Sequence, residues 1–198
     1  MSAVAVSSPE SNGSEIRRSV VPSSVLGTLL FVLSEMMFFG ALISAFLIVK
    51  AGNVMWPPPG QPRLPVELTA LNTLFLVGSG ILVYLSNKSL ALGDETKSRK
   101  QLGLGILLGA VFVCIQGYEW IQMLGHGLSI TSSTFGSFFY TIIGCHAIHV
   151  FAALLVLVKV YQSFSKSTFK QSSYWGVQVF WYFVVGVWPI LYVLVYLS

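Results

Sequence analysis

Five apolar stretches, each long enough to cross a bilayer as a helix, leave this chain little else to become. A crossing takes about 20 apolar residues, and residues 23–49, 66–85, 102–124, 135–159 and 174–197 each meet that length. Only 9% of the 198 residues are charged, where a soluble domain carries roughly 25%. The expected fold is therefore all-α, an integral membrane bundle of five transmembrane helices spanning residues 23–198, with no room for a sizeable soluble domain. Residues 1–22 are Ser-rich and broken by Pro9 and Gly13. They lack the charged-then-apolar order of a signal peptide and are expected to form a polar, flexible N-terminal tail. The stretch after Trp56 holds Pro57, Pro58, Pro59, Pro62 and Pro65, and proline both removes backbone donors and restricts the residue before it. That stretch must be a loop.

Five crossings put the termini on opposite sides. Arg17 and Arg18 precede the first span, Lys88, Lys97, Arg99 and Lys100 lie between the second and third, and Lys159, Lys166 and Lys170 lie between the fourth and fifth. Only Lys50 and Arg63 fall on the other face. Basic residues concentrate in short cytoplasmic connections, which predicts a cytoplasmic N-terminus and an outward C-terminus. Trp56, Trp120, Trp175 and Tyr196 near span ends fit an interfacial aromatic belt. The 11 Lys and Arg form no dense stripe, so the net charge of +4 reflects topology and not nucleic acid. Cys114 and Cys145 sit inside apolar runs and are expected to be small buried packing residues.

Polar groups inside a span are expensive. A carboxylate at mid-membrane costs about 2.5–3.5 kcal/mol on insertion scales, so Glu35, halfway along the first span, needs a partner or a proton; low dielectric favours the neutral acid unless water or a cation reaches it. Gln116 and Glu119 stand three apart on one helical face and are expected to clamp a neighbouring helix. His146 and His149 repeat that spacing. Zinc would need three or four ligands, and only His126, in the loop after the third span, is left to add; a bis-imidazole haem would need a helical histidine at matching depth elsewhere. The two histidines are therefore expected to be hydrogen-bonded helix glue, with no metal in this chain. Gly105 and Gly109 on the third span, and Gly78, Ser79 and Gly80 on the second, provide the small surfaces that close helix packing uses. No phosphate loop, dinucleotide fingerprint, metalloprotease helix or serine elbow is present.

Several blocks then become familiar in order: FVLSEMMFFGALISAF from Phe31, WPPPG from Trp56, LPVELTALNTLFLVGSG from Leu64, QGYEW from Gln116, FGSFFYTIIGCHAIHV from Phe135 and FWYFVVGVWPILYVLVY from Phe180. Together they resemble subunit III of the haem-copper cytochrome c oxidases, in its five-helix bacterial form. The resemblance implies a multi-pass protein of the bacterial cytoplasmic (inner) membrane. It further implies a non-catalytic subunit of a proton-pumping terminal oxidase of aerobic respiration, supporting proton uptake and complex stability. Haem and copper are expected in partner subunits and none in this chain. Oxidase subunit I is the expected main contact, with subunit II, further small subunits and bound phospholipid, and a supercomplex with a quinol:cytochrome c oxidoreductase or alternative complex III is compatible with it. The family's polar motif residues map onto Glu35, Gln116, Glu119, His146 and His149, expected as one polar layer across the bundle.

Two departures stand out. Many members carry an additional pair of helices before the glutamate helix, which residues 1–22 are not expected to provide because they cannot span, and Tyr182 and Val185 stand where the family often has His and Asp. Pro189 is unusual and is expected to kink the last helix or be tolerated through neighbouring contacts. Alternatives are a subunit III-like component of a quinol oxidase or nitric oxide reductase and, from another class, a small proton-coupled transporter with Glu35 as relay and His146 and His149 as gate. Against the last, the chain lacks the interrupted helices in matching repeats that many transporters use.

Overall fold

The computed structural model describes residues 23–56, 58, 65–165 and 171–197. The tail at 1–22, most of the proline-rich loop, Arg63, Lys166 and Lys170 lie outside the described residues. The described chain is helical: α1 (Ser23–Ala51), α2 (Val66–Ala91), α3 (Glu95–Gly125), α4 (Thr134–Ser165) and α5 (Gln171–Leu191), the last continuing into a π-helical turn at Tyr192–Tyr196. All five helices are long and apolar enough to cross a membrane.

The helices overrun the apolar runs. α2 continues to Ala91 and α3 starts at Glu95, so Lys97, Arg99 and Lys100 sit on the first turns of α3 and not in a loop. A 31-residue helix is about 46 Å long at 1.5 Å per residue, well beyond a hydrocarbon core of about 30 Å; apolarity marks only the part inside it. The helix ends are set by local chemistry. Asp94 caps α3, its Oδ1 accepting from Lys97 N–H at 2.9 Å, the side-chain oxygen meeting one of the unpaired first-turn donors. α2 ends with Gly93 at φ +82° and Asp94 N–H donating to Ser89 O at 3.0 Å. α3 ends likewise, with Gly127 at φ +87° and Leu128 N–H donating to Met123 O at 3.0 Å. These are Schellman endings, in which a left-handed glycine lets the backbone satisfy its own last carbonyls.

α2 and α3 form an antiparallel hairpin with the most extensive contact of the bundle, and α5 packs against α1, α2 and α4. Fully buried Trp181, Val184, Trp188 and Leu191 make α5 the spine of the core, meeting Leu76 and Val83 of α2, Phe112 of α3, and Ile142, Ile143 and Val150 of α4 among the buried residues. α1 is the most peripheral helix, with 17% of its apolar window buried. It lies along α5, ring to ring at Phe31–Phe180 (5.5 Å) and Phe39–Phe183 (6.2 Å).

The glycines of α3 serve different neighbours. A Cβ at Gly105 would meet Val83 Cγ2 at 3.2 Å and Ser79 O at 3.3 Å on α2, whereas one at Gly109 would meet Leu154 Cδ1 and Trp181 Cη2, both at 3.0 Å. One thus lets α2 and α3 approach, and the other makes room for the indole at the centre of the bundle. Cys114 is exposed and Cys145 half-buried, correcting the expectation of two buried packing residues: in a bilayer an apolar side chain gains nothing further by turning inward, because lipid tails are as apolar as the core. Pro189 does not end α5. Its missing N–H denies Val185 O the ordinary bond from position 189, and three residues later, at Tyr192, the helix widens to π geometry.

Candidate functional site

The polar residues singled out in the sequence fall into two groups and one bridging ring. At the end of the bundle where α3 finishes and α2 begins, Glu119 is only 1% exposed. Thr69 of α2 places Oγ1 3.0 Å from each of its carboxylate oxygens. Gln116, one turn back, donates from Nε2 to Glu119 Oε2 at 2.9 Å and to Tyr196 Oη at 3.2 Å. The expected clamp is therefore real and grips two elements, α2 and the π-turn after α5. Thr69 Oγ1 also lies 2.9 Å from Pro65 O, so its single hydroxyl proton is contested between the carboxyl and the backbone at the start of α2. Among the described residues no cation lies within ion-pair distance of Glu119; the one ion pair found there is elsewhere. Nearby, Tyr192 Oη donates to Val66 O at 3.1 Å, a second tie between the π-turn and the first turn of α2.

Glu35 belongs to the other group. Its Oε2 lies 3.0 Å from His149 Nε2, with both side chains mostly covered. The other ring nitrogen, Nδ1, lies 2.6 Å from Cys145 O. A carbonyl only accepts, so Nδ1 carries a proton. Nε2 is thereby left to face Glu35 across the α1–α4 contact. Phe39 at 5.5 Å and Phe180 at 6.3 Å wall the imidazole in. Glu35 thus has the partner its depth demanded.

His146 joins neither group by a hydrogen bond through Nε2, which has no partner. Instead the ring stacks on Trp188, centroids 5.1 Å apart and planes 26° apart, and meets Phe39 edge-on at 6.3 Å. The expectation of two hydrogen-bonded histidines thus holds for His149, and His146 packs as a ring. The expected single polar layer is likewise interrupted: Glu35–His149 and Thr69–Gln116–Glu119–Tyr196 are linked through aromatic rings and not through an unbroken chain of hydrogen bonds. Trp188 is the bridge, donating from Nε1 to Thr73 Oγ1 at 2.9 Å while Thr73 Oγ1 donates to Thr69 O at 2.7 Å.

The sequence reading passed over Thr69, Asn72 and Thr73. The signal was there, because three polar residues at spacings of three and four in an otherwise apolar span mark one helix face. All of it turns toward partners: Asn72 Nδ2 donates to Phe112 O at 3.1 Å. A further knot at the opposite end was also missed. Ser86 Oγ lies 2.9 Å from Ser98 O, 3.0 Å from Ser98 Oγ and 2.9 Å from Tyr174 Oη, joining α2, α3 and α5. Tyr182 Oη has no hydrogen-bond partner among the described residues, and Val185 packs its Cγ1 3.1 Å from where a Cβ on Gly80 would stand. The two departures from the family's His and Asp are thus a tyrosine and a close-packed valine.

His126 caps the end of α3, its Nδ1 2.6 Å from Gln122 O. Among the described residues no group of three His, Cys, Asp or Glu is placed to hold a metal. His149 has both ring nitrogens engaged and His146 is stacked among rings, so this donor set does not fit haem or copper.

These features define a class: a five-helix membrane bundle whose buried acids are each held by a neighbouring helix and whose polar residues tie helices together. Relatives give the class its family. The family model described as Cytochrome c oxidase subunit III matches residues 10–198. The cytochrome c oxidase subunit 3 of Synechocystis sp. is 30% identical over 177 residues, covering 87% of this chain and 75% of that protein. That of Thermostichus vulcanus is 32% identical, covering 87% and 86%, and that of Corynebacterium diphtheriae 34%, covering 86% of each. The chain belongs to the cytochrome c oxidase subunit III family, and with it to the oxidase complex of the respiratory chain.

Proposed function

We propose that this chain is the non-redox third subunit of a proton-pumping haem-copper oxidase in a bacterial inner membrane, seated against subunit I, with residues 23–198 as its membrane domain and residues 1–22 as a polar tail. The family match along all five spans carries the reading. The balance of basic residues supports a cytoplasmic N-terminus and an outward C-terminus. A bundle this apolar, with α1 so little covered, calls for lipid and partner subunits around it.

In this role the chain's residues are positioning residues. The Glu35–His149 pair holds α1 to α4, and the Thr69–Gln116–Glu119–Tyr196 group holds α2, α3 and the end of α5, so the face presented to subunit I keeps one shape through turnover. Haem and copper chemistry belongs to the partners. Phospholipid, subunit II and further small subunits complete the assembly, which supports proton uptake into subunit I.

The test is a pull-down in mild detergent through a tag on the N-terminus, followed by an optical spectrum and identification of the copurifying chains. Haem a absorbance together with subunits I and II is the expected result. A colourless, partner-free preparation overturns the reading.

A further inference from the structure

Between α3 and α4 lies a groove of about 410 Å³, inside the roughly 300–1,000 Å³ range of small-molecule sites. About 150 Å³ of apolar space holds one benzene ring, so this groove has room for an amphiphile of about 16 carbon atoms and none for another helix, which is about 10 Å across. Its walls are almost wholly apolar, with Phe112 and Trp188 among the lining side chains. Gly144 opens one wall: a Cβ there would come within 3.6 Å of the Trp120 ring and meet nothing nearer.

Three lining residues carry a polar atom with no hydrogen-bond partner among the described residues: Gln116 Oε1, His146 Nε2 and Trp120 Nε1. Gln116 is 4% exposed and His146 1%. All three atoms are covered from bulk solvent where they stand, and buried polar groups are almost always paired. Their chemistry is specific. Gln116 has its amide nitrogen committed to Glu119 and Tyr196, which leaves an oxygen that only accepts. The indole of Trp120 only donates, and the imidazole Nε2 does one or the other. A carbonyl would serve the donors and leave Gln116 bare; a hydrocarbon would serve none. A hydroxyl serves both kinds.

We propose that the α3–α4 groove binds a membrane-dissolved amphiphile through a hydroxyl that donates to Gln116 Oε1 and accepts from Trp120 Nε1 or His146 Nε2, its apolar body lying along the open side of the groove. Because the three atoms are covered where they stand, binding requires Trp120 to shift against side-chain-free Gly144.

The full-length chain, purified with whatever subunits accompany it, is photolabelled with three probes of equal length: a diazirine-bearing hexadecanol, its methyl ether and the matching hexadecane. The alcohol is expected to label α3 and α4 peptides at least tenfold more than the other two. Gly144→Leu, which fills the groove, is expected to abolish that labelling, and His146→Phe, which keeps a ring on Trp188, to weaken it severalfold. Competition by palmitic acid, unlabelled hexadecanol and a decyl-benzoquinol then identifies whether an acid, a chain alcohol or a ring hydroxyl is preferred. Equal labelling by all three probes makes the groove an ordinary lipid-facing surface and overturns the proposal. Cross-links from these residues to a partner subunit overturn it too. Both readouts are independent of whether haem copurifies, so they separate from failure of the oxidase reading.

Discussion

Glu35 Oε2 and His149 Nε2 meet at 3.0 Å between α1 and α4, and His149 Nδ1 is turned to Cys145 O, so the imidazole is held from both sides. This contact is a polar tie of the least buried helix. Removing one member leaves the other without a partner in a low-dielectric setting, where an unpaired group costs about 1–3 kcal/mol or more.

Glu35→Ala is expected to lower oxidase activity during sustained turnover more than the initial rate, because loosening α1 acts on the persistence of the assembly and leaves electron transfer in the partner subunits intact. Oxygen-consumption traces followed over many turnovers check this; a time course parallel to the parent enzyme would count against it. The double variant Glu35→Ala/His149→Ala is expected to be damaged less than the two single losses added together, since each single change strands a partner.

Thr69→Val keeps the shape of the side chain and deletes the hydroxyl that faces both oxygens of Glu119. A loss of about 1–3 kcal/mol is expected, read as a lower unfolding temperature in detergent. Glu119→Gln keeps an acceptor for Gln116 and is expected to cost less than Thr69→Val. The reverse order would show that the charge of Glu119, and not its bonding, matters.

Gly109→Ala drives a methyl to 3.0 Å from both Trp181 and Leu154. Overpacking of this kind typically costs about 1–3 kcal/mol. Gly117→Ala, on the same helix with nothing within 4 Å, is the control and is expected to be neutral. Thermal unfolding of the pair separates packing from helix propensity.

Gly136→Ala places its Cβ against the carbonyl oxygen of Ser129, a backbone atom that cannot swing aside. The connection between α3 and α4 must therefore move. The expected result is greater protease sensitivity in that connection than Gly125→Ala produces, since Gly125 has open space around it.

Tyr182 offers a test in the opposite direction. Its hydroxyl has no partner, so Tyr182→Phe removes an unsatisfied polar group and is expected to be neutral or slightly stabilising. A marked loss on thermal unfolding would reveal a partner for that hydroxyl in the assembled complex.

The fold was legible because membrane crossing is a question of apolar length, and five runs of that length admit few alternatives. The boundaries were less so: the turns around Ser86–Lys88 and Glu95–Gln101 are polar yet helical, lying where the helix outlasts the hydrocarbon. Within the site, the spacing of Gln116 and Glu119 revealed a shared face, and the depth of Glu35 revealed the need for a partner. Neither could name His149 over His146, because the choice depends on how α1 and α4 are rotated about their axes. Thr69 went unread, and Tyr196 was taken for an interfacial ring though it is buried with its hydroxyl on Gln116, for a related reason: they are far apart in sequence and reach the Gln116–Glu119 face only through the antiparallel pairing of α2 with α3 and the widened turn after Pro189.

The α2–α3 hairpin is tied at both ends, by Thr69–Glu119 at one and Ser86–Ser98 at the other. Sliding one helix past its neighbour by a single residue, about 1.5 Å, would pull both ties out of hydrogen-bond range together. Lipid exerts no registry of its own on two smooth apolar rods, so these hydroxyls do for the hairpin what two pins do for a pair of rulers: they fix which graduation faces which. The rest of the bundle can then be assembled against an edge of constant length.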